Sequence, residues 1–293
     1  MALFVEKKNN VSQKNICSAE DRFIFDEENS IYGVFDGHGG NTISEKLSIC
    51  MSPELMSILS SIDVTDNEAI KLAVNECFQK IDSILIDKIK STPMCGSTCA
   101  LVFKLDSKLI LVNLGDSNII LFKNGEKHTI MKQHLYSNPE EKVEIDTLVD
   151  KGGICIQNGW APKILNENDV TMVRSDIIKL CNKNERIVPT RNFGHFHWKQ
   201  SNYMSIVPYI EIIDIEDKDK YEAVIVTDGV LDVLVNYDEI YPIISSAENQ
   251  SEALVKFAED RWRKGWKYIM DGEIVGLNQH MGVDDITAIY CVF

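Results

Sequence analysis

Ile31-Tyr-Gly-Val-Phe35 is an apolar run that ends abruptly in Asp36-Gly37-His38-Gly39-Gly40, and a helix signal, Thr42-Ile-Ser-Glu45, follows at once. The apolar half predicts a buried strand. The Gly-Gly pair allows close backbone approach and unusual torsions. Thr42 with Glu45 reads as a capping box that opens a helix to about Leu59. An Asp-Gly step alone is an ordinary hairpin turn. Set between a strand and a helix, it reads instead as a loop that presents side chains at the rim of a core.

Two further runs share the pattern: Ala223–Thr227 leads into Asp228-Gly229, and Asp284-Asp285 precedes Ile286–Tyr290. Each apolar interior places its acidic end at the core's edge. Carboxylates gathered at one edge repel by several kcal/mol at roughly 4 Å and an effective dielectric near 20, so they need protons or cations between them. A divalent-metal site is the economical reading.

Working outward, a second helix is predicted from near Asp66, with Ile70, Val74, Cys77, Ile81, Leu85 and Ile89 on one stripe. Thr98–Leu105, Lys108–Leu114, Ile119–Phe122 and His128–Met131 are short strands, with Asn124-Gly125 a hairpin turn. Asn138-Pro139 caps a helix that stops at Gly152. Residues 157–200 show no sustained period and read as an irregular excursion. Strands at Ser205–Asp214, Tyr221–Thr227 and Ile286–Phe293, and helices near Asp238–Ala247 and Gln250–Tyr268, complete the chain. Hairpin strands with segregated helices predict an α+β sandwich and not a doubly wound sheet.

The 293 residues, 44% hydrophobic and 26% charged, suffice for a full-sized core. No linker or repeat divides them, so residues 1–293 are expected to form one domain. The opening MALFVEKKNN is too short in apolar residues for a secretory core, and no later run is long enough to span a bilayer. Eight cysteines without C-x-x-C spacing predict reduced thiols and a cytoplasmic or nuclear protein that is not secreted. The formal charge of -15 argues against nucleic acid and anionic membrane as partners and supplies oxygen ligands for hard cations.

The segments YGVFDGHGG, CGSTCALVF, LILVNLGDS, QHLYSNPEEKVEI, VTDGVLDVL and DDITAIYCVF resemble, in order and spacing from Glu20 to Phe293, the motifs of the metal-dependent type 2C protein phosphatases. The resemblance implies an α-β-β-α sandwich of two antiparallel sheets with two ions, Mg²⁺ or Mn²⁺, in a cleft at one end. By the same resemblance Asp36 would bridge both ions, the Gly37 carbonyl would bind one, Asp228 and Asp284 the other, and Glu20 would hold metal-bound water. Asp21 would support this set from behind. His38 would protonate the departing serine or threonine oxygen, a role that needs a pKa near the working pH. The implied reaction is hydrolysis of phosphoserine and phosphothreonine in a phosphoprotein by a metal-activated water.

Gly96-Ser97-Thr98 and Asn113–Ser117 also match, and read as structural turn and strand-end residues. His128, His134, His195, His197 and His280 are expected at surface or loop positions. The sequence departs from the family in three places. Ile16 stands where an arginine grips the substrate phosphate, and Lys14 and Arg22, the nearest cations, would substitute only in part. Gln133 replaces an aspartate before His134. Thr190–His195 replaces the S-R-A-L-G-D segment. A phosphatase-like binding protein with weak or no turnover is therefore the alternative to an active enzyme.

Overall fold

The computed structural model describes residues 8–88, 94–166, 168–181, 185–270, 273–278 and 284–293. Ile89 and His280 lie outside the described residues.

Two five-stranded antiparallel sheets lie face to face. In one, the strands run in the order Asn10–Lys14, Ile286–Val292, Tyr221–Val226, Asn118–Lys123 and Glu126–Ile130. In the other the order is Tyr209–Asp214, Lys108–Leu114, Cys99–Leu105, Ile31–Phe35 and Arg22–Asp26. Successive side chains on a strand point to opposite faces. Tyr32, Val34, Ala100, Val102, Leu109 and Leu111 accordingly meet Ile119, Leu121, Ala223, Ile225, Ile289 and Cys291 between the sheets. The alternate set on the second sheet, Ile31, Phe35, Leu101, Phe103, Ile110 and Val112, packs under helices Thr42–Leu59 and Asn67–Lys88. Ile120, Phe122, Val224, Val226, Ala288 and Tyr290 pack under Ile240–Ser246 and Gln250–Arg263. Both faces of each sheet are covered, which is why these strands read as continuous apolar runs. The architecture is the expected α-β-β-α sandwich.

Three expectations fail locally. Thr42 does not cap its helix: Asn41 is the N-cap without a side-chain bond, and Thr42 is already inside. The Ser44 hydroxyl donates to the carbonyls of Glu20 and Asn41, so the helix start is tied to the Glu20 loop instead. Residues 157–200 are not irregular. Ile154–Ile164 and Asp169–Leu180 form a long antiparallel hairpin in register from Ile154↔Leu180 to Ile164↔Val170. At its turn the Asn166 side-chain oxygen accepts from the backbone N–H groups of Asn168 and Asp169. The stretch ends in short strands Arg186–Ile187 and Phe193–Gly194 and a helical turn, Phe196–Gln200.

The third failure is the C-terminal helix, which stops at Arg263 and not near Tyr268. Lys264 turns to extended backbone, and Trp266–Met270 becomes a strand parallel to 169–171 and antiparallel to Glu273–Asn278. Trp266 is fully buried in the core beneath the helix, with its indole N–H donating to the Arg261 carbonyl at 2.9 Å. That burial outweighs one more helical turn.

If Trp266 is the anchor of this reversal, Trp266→Ala should lower unfolding free energy by about 3–5 kcal/mol, the range for an aromatic removed from a core. Urea denaturation with an unchanged slope is the check; a loss below about 1 kcal/mol would place the anchor elsewhere.

Candidate metal centre

The strand Ile31–Phe35 delivers Asp36 at its end, where the Asp36 N–H donates to the Thr98 hydroxyl at 3.2 Å and the Asp36 carbonyl accepts from the Thr98 N–H at 2.9 Å. Gly37 and His38 then pair with Ser97 and Gly96. Gly39 has φ of +70°, and a Cβ there would stand 2.4 Å from the Met94 carbonyl oxygen, so no other residue fits this bend. The bend brings the Gly40 N–H onto Glu20, whose other carboxylate oxygen accepts from the Ser18 hydroxyl at 2.6 Å.

The loop that carries Glu20 is held by the start of the strand Ile286–Val292. The Asp285 carboxylate accepts from the N–H groups of Ile16, Cys17 and Glu20 at 2.7, 3.0 and 2.8 Å. Burial would raise its pKa, but these donors prevail and hold it below the usual carboxylate range. Asp284 beside it faces the cleft. Asp228 follows the strand Tyr221–Val226, and Gly229 permits the close crossing of this segment with the Asp285 backbone: a Cβ on Gly229 would lie 2.0 Å from the Asp285 carbonyl oxygen.

One carboxylate oxygen each from Asp36, Asp116 and Asp228 lies within 4.8 Å of the others. Glu20, Asp36, Gly37, His38, Asp116, Asp228 and Asp284 line a single cleft of about 360 Å³. The structure thus brings all the sequence-derived candidates together, with Asp21 just behind. Asp21 is buried, accepts from the hydroxyls of Thr227 at 2.9 Å and Thr287 at 2.7 Å, and is pushed up to about 7, first by burial.

The electrostatics are those of carboxylates crowded together with little water between them. Burial, then repulsion from neighbouring carboxylates, pushes Asp36 and Asp228 well above the ordinary range. Burial and Asp232 bring Asp116 to about 7, and burial and Asp284 bring Asp232 to about 6. One Asp116 oxygen is buried without a hydrogen-bond partner. An all-oxygen set of this kind fits a hard divalent ion.

Asp116 and Asp232 extend the sequence-derived set. Asp116 sits in the Asn113–Ser117 segment, which reads as structural in the sequence, yet it also follows an apolar strand, Lys108–Leu114, and obeys the same strand-end pattern as Asp36 and Asp228. Asp232 lies four residues after Asp228, one helical turn on, and so shares its face. Spacing alone could have flagged both.

The histidines correct another expectation. His134 is fully buried, with Nδ1 accepting from the Gly115 N–H at 3.1 Å and the ring stacked on Tyr209 at 4.2 Å. Burial, then the Arg191 charge, brings it down to about 3. His195, also buried, stacks on His38 at 4.7 Å, because the pairing of Gly194 with Gly96 lays the two segments together. Burial lowers His38 to about 4 and keeps it neutral at pH 7. His197 contacts Glu185 at 2.5 Å, and His128 is exposed as expected.

Neither cation near Ile16 reaches the cleft as a free group. Lys14 pairs with Glu259 at 3.3 Å, and the Arg22 guanidinium donates to the carbonyls of Ala19 and Asp21 at 2.8 and 2.7 Å. Ile16 packs against the core. Gln133 donates to the Asp116 carbonyl, bracing the segment that carries that carboxylate.

Residues 6–271 match the family model described as protein phosphatase 2C. A probable protein phosphatase 2C of Oryza sativa (number 56) is 26% identical over 83% of this chain and 62% of its own length. One of Arabidopsis thaliana (number 28) is 27% identical over 81% of this chain and 61% of its own length, so the chain spans about three fifths of these curated relatives. Among solved structures, a serine-threonine phosphatase 2C from Toxoplasma gondii superposes with a TM-score of 0.72 at 19% identity, covering 99% of this chain and 96% of its own. The catalytic domain of the phosphatase PstP, described in complex with two manganese ions, gives a TM-score of 0.55 at 17% identity over 97% of each chain.

The raised carboxyls fix a pH dependence. A group whose folded pKa exceeds its unfolded value, near 4 for aspartate, stabilises the fold below that unfolded value, and the contribution is lost as pH rises through the folded pKa. With Asp21 and Asp116 at about 7, metal-free protein should lose thermal stability between about pH 6.5 and 8. The lowered His38, His134 and His195 oppose the trend until unfolded histidine is largely neutral, near pH 7.5, but Asp36 and Asp228, raised well above the ordinary range, add to the loss throughout the window. Melting in a chelating buffer across that range is the measurement, and a flat or rising profile would contradict the crowding described.

Proposed function

The chain belongs to the protein phosphatase 2C family, and from that membership we propose that it hydrolyses phosphoserine and phosphothreonine esters of protein substrates with two divalent cations, Mg²⁺ or Mn²⁺. The observation that carries this reading is the set Asp36, Asp116 and Asp228, three carboxylates, the middle one buried and the others half-buried, converging within 4.8 Å. Bound divalent ions would supply Lewis acidity and a nucleophilic water at neutral pH.

The chain's own residues do the rest. Asp36, at the junction of the converging strands, would serve both ions. The Gly37 carbonyl would join it at one ion, and Asp228 and Asp284 would serve the other, with Asp116 adding a third carboxylate to the cluster. Glu20, fixed by Gly40 and Ser18, would orient a water through its oxygens. Asp21 acts on Thr227 and Thr287, holding the strand ends that carry Asp228 and Asp284 at a fixed separation. His38 is assigned the proton delivered to the departing serine or threonine oxygen. Its neutral resting state means that this proton is acquired when negative charge gathers beside it. The eight free thiols suit a reducing compartment, the cytoplasm or nucleus. Among the described residues no helix is long and apolar enough to cross a membrane.

The reading is tested by phosphate release from phosphoserine and phosphothreonine peptides across Mg²⁺ and Mn²⁺ titrations. Activity should require the metal, and Asp36→Asn should reduce it by several orders of magnitude. Cation binding should also raise the melting temperature of chelator-treated protein, since ligand at one hundred times Kd contributes about 2.7 kcal/mol. Folded, cation-saturated protein that releases no phosphate would instead make the chain a phosphatase-like binding protein.

A further inference from the structure

A cleft lined by carboxylates must still hold a phosphodianion, and beyond its cations it needs a fixed positive group to orient the ester. The family position for that group is Ile16, and Lys14, Arg22 and Arg191 are engaged elsewhere. Arg191 donates to Glu141, Glu144 and the Val207 carbonyl. Among the described residues lining the carboxylate cleft, Arg186 is the one with a permanently positive side chain.

Its placement follows from strand alternation. Residues 186–189 all line the cleft, and along this segment burial alternates: Glu185, Ile187 and Pro189 are buried, while Arg186 and Val188 are exposed. The buried set is anchored at each step. Glu185 is paired with His197, Ile187 sits in a core with Ile145, Ile178 and Trp198, and Pro189 bridges to Leu135. Arg186 itself pairs in register with Lys179 of the long hairpin. The arginine is thus mounted on a braced strand at the wall of the cleft.

Resting on the phosphatase reading, we propose that Arg186 is the phosphate-gripping cation of this chain, supplied from the hairpin side of the cleft in place of the arginine missing at position 16. A guanidinium matches two phosphate oxygens at once, so it would orient the ester as well as attract it.

The test compares wild type, Arg186→Ala, Arg186→Lys and Lys14→Ala, all cation-saturated and checked for folding by thermal melting. KM and kcat are measured with a phosphothreonine peptide, and inorganic phosphate binding is measured separately by calorimetry. Arg186→Ala should raise both KM and the phosphate Kd by roughly ten- to a hundredfold while leaving kcat within about threefold, the pattern of binding shared by ground and transition states. Arg186→Lys should recover part of the loss, because a point charge replaces a fork, and Lys14→Ala should change neither constant. If Arg186→Ala leaves KM and Kd within about twofold of wild type, or if only Lys14→Ala raises them, the assignment is overturned. Wild type that binds phosphate through Arg186 but never hydrolyses the peptide would sink the phosphatase reading and leave this assignment standing.

Discussion

Repulsion among carboxylates stripped of most of their water is the constraint around which the chain is arranged. Asp21, Asp36, Asp116, Asp228, Asp232 and Asp284 all titrate above the ordinary aspartate range, each driven first by burial. A protein tolerates such crowding only if the backbone that carries it is held rigidly from outside. Here the restraint comes from both sheets. One contributes Asp36 and Asp116, the other Asp228 and Asp284, so the cluster sits where two independently packed layers end together.

The supporting polar groups are placed to resist that repulsion. Asp285 satisfies three N–H groups of the Glu20 loop and so staples residues 16–20 to the start of the last strand. Asp21 performs the converse task from the loop, reaching into the first sheet to accept from Thr227 and Thr287. The two contacts cross-tie the same pair of segments, and removal of either partner would leave a buried polar group unsatisfied. Close crossings at Gly39 and Gly229 remove the side chains that would otherwise keep these segments apart.

The sandwich was legible because its strands are short, β-rich and separated by recognisable turns such as Asn124-Gly125, and Asp36, Asp228 and Asp284 were legible because each abuts an apolar run. What could not be read was decided by distant contacts. The hairpin of Ile154–Ile164 and Asp169–Leu180 is partnered by a segment from beyond residue 260, and it lacks the alternation that a half-buried strand shows. The C-terminal helix ends where Trp266 finds the core, a fact that helical periodicity does not contain. His134 and His195 are buried by pairings between segments remote in sequence, Gly115 with His134 and Gly96 with Gly194.

Among the described residues the strand Asn10–Lys14 pairs only with Ile286–Val292 at the edge of its sheet. During synthesis it therefore has no partner until residues 286–292 have emerged, and the strand Tyr221–Val226 likewise waits for one of its two neighbours. The loop to be closed spans most of the sequence, the kind of long-range pairing that slows folding and leaves strand edges open to misassociation. Asp284 and Asp285 arrive with the strand 286–292, so the cluster's fourth carboxylate and the staple on the Glu20 loop are added together with it. Until then the first sheet lacks the strand that joins two of its members, together with the core side chains Ile286, Ala288, Ile289, Tyr290 and Cys291.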